Sequence, residues 1–100
     1  MLGRILKQYT LNTYNNDDPE KPVYLAGLWI GRDIKQFADT INQFVSKVYV
    51  EDDELIFLKN RNDSEFYTMH IGDYVVIDSH FHVFPLTAKI FNYLFKEIDE

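Results

Sequence analysis

The chain has no cysteine, only 4 glycines and 3 prolines, and 10 basic residues against 16 acidic ones in a length of 100. Each shortage removes a class of protein. Without cysteine there is no disulfide framework, no thiolate zinc site and no thiol nucleophile, which suits a reducing compartment. The glycines stand apart at positions 3, 27, 31 and 72, so none of them builds a glycine-rich phosphate loop. No apolar run approaches the ~20 residues of a membrane-spanning helix. Met1-Leu2-Gly3-Arg4 does not open the apolar core of a secretory signal. These absences lead us to expect a cytoplasmic protein with no membrane partner.

Positive charge is scarce, and unevenly so. Residues 1–50 carry six Lys/Arg against five Asp/Glu, whereas residues 51–100 carry four against eleven, within a net charge of −6. Such a balance repels nucleic acid. It steers the molecule instead toward basic surfaces, including the grooves of nucleic-acid-binding proteins.

What is present is enough for a core. With 46% hydrophobic and 16% aromatic residues, one domain spanning residues 1–100 needs neither metal nor disulfide to fold. The clearest scaffold signal is the stretch from Tyr67 to Pro85. Gly72-Asp73 turns the chain, because glycine tolerates positive φ. Tyr74-Val75-Val76-Ile77 suits a buried strand. Asp78-Ser79-His80 turns it again, Phe81-His82-Val83-Phe84 alternates, and Pro85 is expected to end the ladder.

Ile5 to Leu11 is strand-like, and Asn12 to Pro22 is a polar arm containing Tyr14. Val23 to Ile30 reads as a central strand covered on both faces, where Gly27 marks a bulge or a close backbone approach. A helix is expected from Asp33, an N-cap with Gln36 three residues on. Its apolar stripe is Ile34, Phe37, Ala38, Ile41, Phe44 and Val45. Lys47–Val50 and Leu55–Leu58 form a hairpin across Glu51-Asp52-Asp53-Glu54, and Phe66–His70 forms another strand. Thr87 caps a last helix with Ile90, Phe91, Leu94, Phe95 and Ile98 on one face, frayed at Asp99-Glu100. The fold class is therefore α+β. We expect an antiparallel sheet of about six or seven strands, ordered β-β-α-β-β-β-β-β-α, with two amphipathic helices packed on one side.

The chain offers little catalytic chemistry. Asp78, His80 and His82 would share a face in one continuous strand and so hold a divalent ion, but the turn expected there separates them. Ser46, Ser64 and Ser79 lack a nucleophile-elbow setting. We expect no enzyme, no cofactor and no metal. Four consecutive carboxylates at one hairpin tip are the better candidate. Glu51, Asp52, Asp53 and Glu54, joined by Asp63 and Glu65 from the next turn, make an anionic edge that fits an Arg/Lys-lined groove. Tyr14 is a candidate aromatic anchor.

A resemblance sets the context. Lys21-Pro22-Val23, Ala26-x-x-Trp29-x-Gly31, Gly72-Asp73-Tyr74-Val75-Val76, Phe81-x-Val83-x-Pro85 and Phe91 resemble a widespread family of small phage and prophage proteins. That family has a KPV…QWTG opening, a PGDWII-type turn and strand, and a closing F-Y-P-x5-F segment. The likeness covers residues 21–95 and leaves residues 1–20 as a separate strand and arm. Leu28 stands where the family has Gln, Ile71 where it has Pro, and Asp78-Ser79-His80 where it has a Gly-containing turn. The resemblance implies phage origin, hence the cytoplasm of an infected bacterium, and no transferable activity. Three functions then compete. The first is an anti-CRISPR-like inhibitor that sets its acidic face against a host defence protein. The second is a sponge for a nucleotide immune signal, with Arg32, Lys35, Arg4 and Lys7 as phosphate donors and a homodimer as the natural way to build its pocket. The third is an assembly or regulatory module.

Overall fold

A computed structural model describes residues 5–58 and 66–98. Its strands are β1 (Lys7–Leu11), β2 (Tyr24–Leu28), β3 (Lys47–Glu51), β4 (Glu54–Leu58), β5 (Tyr67–Met69), β6 (Tyr74–Ile77), β7 (Val83–Leu86) and β8 (Phe95–Glu97). Its helices are α1 (Ile34–Ile41) and α2 (Ala88–Leu94). All pairings are antiparallel and fall into two sheets, β7-β6-β2-β1-β8 and β3-β4-β5. The α+β class holds. The strands are divided between two sheets rather than laid in one.

The two-residue period of β6 fixes how the layers stack. Val75 and Ile77 face a core shared with Trp29, Phe37, Ile41, Leu55, Phe57 and Met69. Val76 faces the other way, into a cluster with Ala26, Phe91 and Phe95. Both faces of the five-stranded sheet are thus covered. The second sheet and α1 lie on one face and α2 on the other, so the helices do not share a side as expected. Tyr74-Val75-Val76-Ile77, apolar at every position, is the local signal of two-sided burial. β2 is the middle strand, as its composition implied. Gly27 is required there, since a Cβ would stand 2.7 Å from the Ile5 carbonyl oxygen.

The helices depart from expectation at their ends. Asp33 precedes α1 in a left-handed conformation and makes no side-chain cap, so the capping box with Gln36 does not form. The helix stops at Ile41. Phe44 and Val45 still pack, through the turn that follows rather than through another helical turn. Thr87 does cap α2, its hydroxyl accepting from the Ile90 N–H at 3.4 Å. That helix ends at Leu94, and Phe95 to Glu97 become β8, paired with β1. The cause lies far away in sequence. The Asn12 side-chain amide donates to the Tyr93 carbonyl at 2.7 Å, and the Asn12 backbone N–H donates to Leu94 O at 2.8 Å. These bonds satisfy carbonyls that a longer helix would use. Asp99 and Glu100, expected to fray, lie outside the described residues.

Pro85 also departs from expectation. It sits within β7 opposite Val75 rather than ending the ladder. β7 is an edge strand, where a missing N–H costs no pairing if it faces outward. No helix among the described residues is long and apolar enough to cross a membrane.

Candidate functional site

The β3–β4 hairpin carries the acidic tip. Glu51 pairs directly with Glu54 across the ladder, and Asp52-Asp53 form the two-residue turn. Both turn residues are left-handed, Asp52 at φ 49 and Asp53 at φ 66. This is the backbone of a type I′ hairpin, whose preferred pair is Asn-Gly because positive φ crowds a Cβ. Like charges directly opposite on a ladder are also unfavourable. The tip thus places two aspartates where glycine is less strained and two glutamates opposite each other.

The tip is fastened from beneath. The Trp29 indole N–H donates to the Asp53 carbonyl at 2.8 Å, and Trp29 is itself fully buried against Phe37. The β2–β6 ladder continues past the strand ends, with Trp29 N–H donating to Asp73 O at 2.9 Å and Gly72 N–H to Trp29 O at 2.8 Å. That brings the Gly72-Asp73 turn beside the tip. Asp73 N–H donates to His70 O at 2.9 Å and Gly72 lies at φ 98, the geometry of a type II turn. The Asp73 carboxylate in turn accepts the His70 N–H at 2.9 Å.

His70 links the two turns. Its Nε2 lies 2.6 Å from Glu54 Oε2 and its Nδ1 3.6 Å from Asp73 Oδ2. Glu54 is thus engaged, whereas Glu51, Asp52 and Asp53 are exposed and form no ion pair among the described residues. Three of the four tip carboxylates therefore have no ion-pair partner among the described residues. Asp63 and Glu65 lie outside the described residues. Tyr14 is half-buried in the turn after β1, its N–H donating to Leu11 O at 3.1 Å. Since β1 begins beside the end of β2 that leads to Trp29, Tyr14 lies at the opposite end of that strand from the tip. It does not extend the acidic surface.

Asp78, His80 and His82 form a turn. Asp78 Oδ1 accepts the backbone N–H of His80 at 2.8 Å and of His82 at 2.9 Å, while Oδ2 lies 3.1 Å from His82 Nδ1. Partial burial works to raise the Asp78 pKa, but the His82 and His80 N–H groups and the His82 ring outweigh it and hold the carboxyl below its usual value. His80 gives Asp78 only its backbone N–H, while its ring lies 6.2 Å from the His82 ring. Among the described residues, no group of three or more His, Asp or Glu is arranged to hold a metal ion.

The basic candidates separate as well. Arg4 lies outside the described residues, and Lys35 is tied to Asp39 at 2.7 Å along α1. Lys7 and Arg32 line one cavity of about 500 Å³ at the start of α1. Sequence reasoning missed Trp29, His70 and Asp73 as neighbours of the tip. Trp29 and Gly72-Asp73 were visible as motif residues, but nothing local to them announces the contact.

Comparison of the chain with protein-family models, with curated proteins and with solved structures finds no match. Of the residues that carry the resemblance to the phage family, Trp29, Val75, Val76, Val83 and Phe91 are buried and Gly72-Asp73 makes the type II turn, whereas Val23 and Phe81 are exposed.

Proposed function

We propose that this chain is a non-enzymatic phage protein that binds a host defence protein and blocks a basic groove with its acidic hairpin tip. One observation carries the reading. Three free carboxylates are held at a turn whose two central residues are left-handed aspartates and whose flanking pair is glutamate opposite glutamate. Asp accepts positive φ less readily than Gly, and glutamate opposite glutamate is less favourable than a neutral pair. Departures of that kind collect where function requires them.

The chemistry of the surface suits a groove that otherwise takes nucleic acid. Phosphates follow one another along a backbone as compact negative charges, and Arg and Lys side chains recognise carboxylates through the same donors. The tip stays in place because Trp29 holds its turn, so less ordering entropy is lost on contact. Charge also speeds encounter with a basic partner. The resemblance to a phage family supplies the biological setting, in which the partner is a nucleic-acid-binding effector of bacterial immunity.

Affinity capture from a bacterial lysate with intact defence systems tests the reading, with bound proteins identified by mass spectrometry. The expected result is one stoichiometric host protein that leaves the column as salt rises from about 0.1 M to about 1 M, where the screening length falls from about 10 Å to about 3 Å. A column that retains no host protein, or retains one indifferent to salt, contradicts it.

A further inference from the structure

A second surface has the opposite character. The cavity of about 500 Å³ opens among the start of β1, the end of β2 and the first turn of α1, within the size range of small-molecule sites. Lys7 and Arg32 line it beside one lining carboxylate, Asp33, while Glu97 stands next to Tyr9 across the β1–β8 ladder, so two cations are gathered at this site in a chain of net charge −6. Among the described residues neither cation has an ion-pair partner, unlike Lys35 nearby.

Neutral donors line the same cavity. Tyr9 and Tyr74 both contribute, and neither hydroxyl has a hydrogen-bond partner among the described residues. Their rings are fixed by one buried side chain. Tyr74 stacks on Phe91 at 3.9 Å and Tyr9 meets it edge-on at 4.9 Å. Burial raises the Tyr9 pKa, and the nearby Tyr74 and Glu97 add to the effect, so the phenol stays a neutral donor. Half-buried phenols usually find a partner, and both of these residues line the cavity. Leu28 and Ile30 add apolar wall and are left partly exposed, at 41% and 47%.

From this set we infer that the cavity binds a small organic anion with an apolar or aromatic body. Lys7 and Arg32 take a phosphate or carboxylate head, the Tyr9 and Tyr74 hydroxyls donate to its polar atoms, and Leu28 and Ile30 cover the body. The site is separate from the Glu51–Glu54 tip and goes beyond the protein-binding role assigned to it.

Calorimetric titration of the full chain tests the inference, with three probes. Adenosine monophosphate offers a phosphate head on a planar body, octanoate a carboxylate head on a flexible apolar one, and inorganic phosphate a head alone. Trp29 is the only tryptophan and lies 5.1 Å from Phe37, a cavity residue, so its emission is a second readout. We expect saturable one-to-one binding of either organic anion, with the responding probe naming the head group, and weaker binding of inorganic phosphate. Lys7→Gln and Arg32→Gln, both at exposed positions, should each weaken binding about tenfold, as loss of one charge-assisted contact does. Tyr9→Phe keeps the ring packing and should weaken it less. No saturable binding of either organic anion, or binding unchanged in both cation variants, would overturn the inference. Inorganic phosphate binding as tightly as both organic anions would overturn the apolar half of it.

Discussion

Gly27 shows how a single residue constrains the sheet. Its absent side chain lets the Ile5 carbonyl approach β2, and a Cβ would also stand 3.1 Å from Leu6 Cδ2. Backbone cannot step aside as a flexible side chain can. Gly27→Ala is expected to cost about 1–3 kcal/mol, the range of core overpacking, read as a lower denaturant midpoint at unchanged m-value. Asp78 makes a different point, about pH. Its carboxyl is held below the ordinary value of 3.8, so the charged form is favoured by folding. The resulting stability is complete above the unfolded pKa and is lost as pH falls through the lowered folded one. Asp78→Asn keeps an Oδ1 acceptor for the two backbone N–H groups but cannot ionise. The stability gap between wild type and this variant should therefore narrow as pH drops from about 4 to about 2, measured by thermal melts. A gap that does not change over that interval would show that the charge contributes nothing.

At the scale of elements, the β3–β4 hairpin carries the functional argument. An Asn-Gly pair fits its turn better than Asp-Asp, because glycine accepts positive φ without strain. Asp52→Asn with Asp53→Gly is therefore expected to raise stability by about 0.5–1 kcal/mol and to weaken partner binding. Improvement in both, or in neither, would remove the reason for treating the tip as a functional compromise. The same scale explains what was legible in the sequence. The hairpin, β6 and the Phe37–Ile41 face of α1 could be read because their period and turn chemistry are local. β8 could not, since Phe91, Leu94, Phe95 and Ile98 have helical spacing, and only Asn12, some eighty positions earlier, ends the helix at Leu94. The opposed helices were missed for a related reason: a fully apolar strand records two buried faces without recording what covers each. The acidic tip was legible as composition. Its attachment to Trp29, and the meeting of Tyr9, Arg32 and Tyr74 at one cavity, depend on contacts between distant segments.

Across the whole molecule, charge is unevenly placed. Free carboxylates project from the hairpin tip, while unpaired cations line the cavity beside α1. Trp29 stands between them: its indole holds the tip through Asp53, and its ring rests on Phe37, which lines the cavity. One buried side chain thus orders both surfaces. Whether the tip is the binding surface is tested by the affinity of the captured host partner for wild type and for Glu51→Gln/Asp52→Asn/Asp53→Asn/Glu54→Gln. Asn tolerates the left-handed conformation at both turn positions, so the fold should be retained, with circular dichroism and the thermal midpoint as controls. The expected result is a loss of affinity of about tenfold or more, with slower association and a weaker salt dependence. A folded quadruple variant that binds as tightly and as fast as wild type would contradict it.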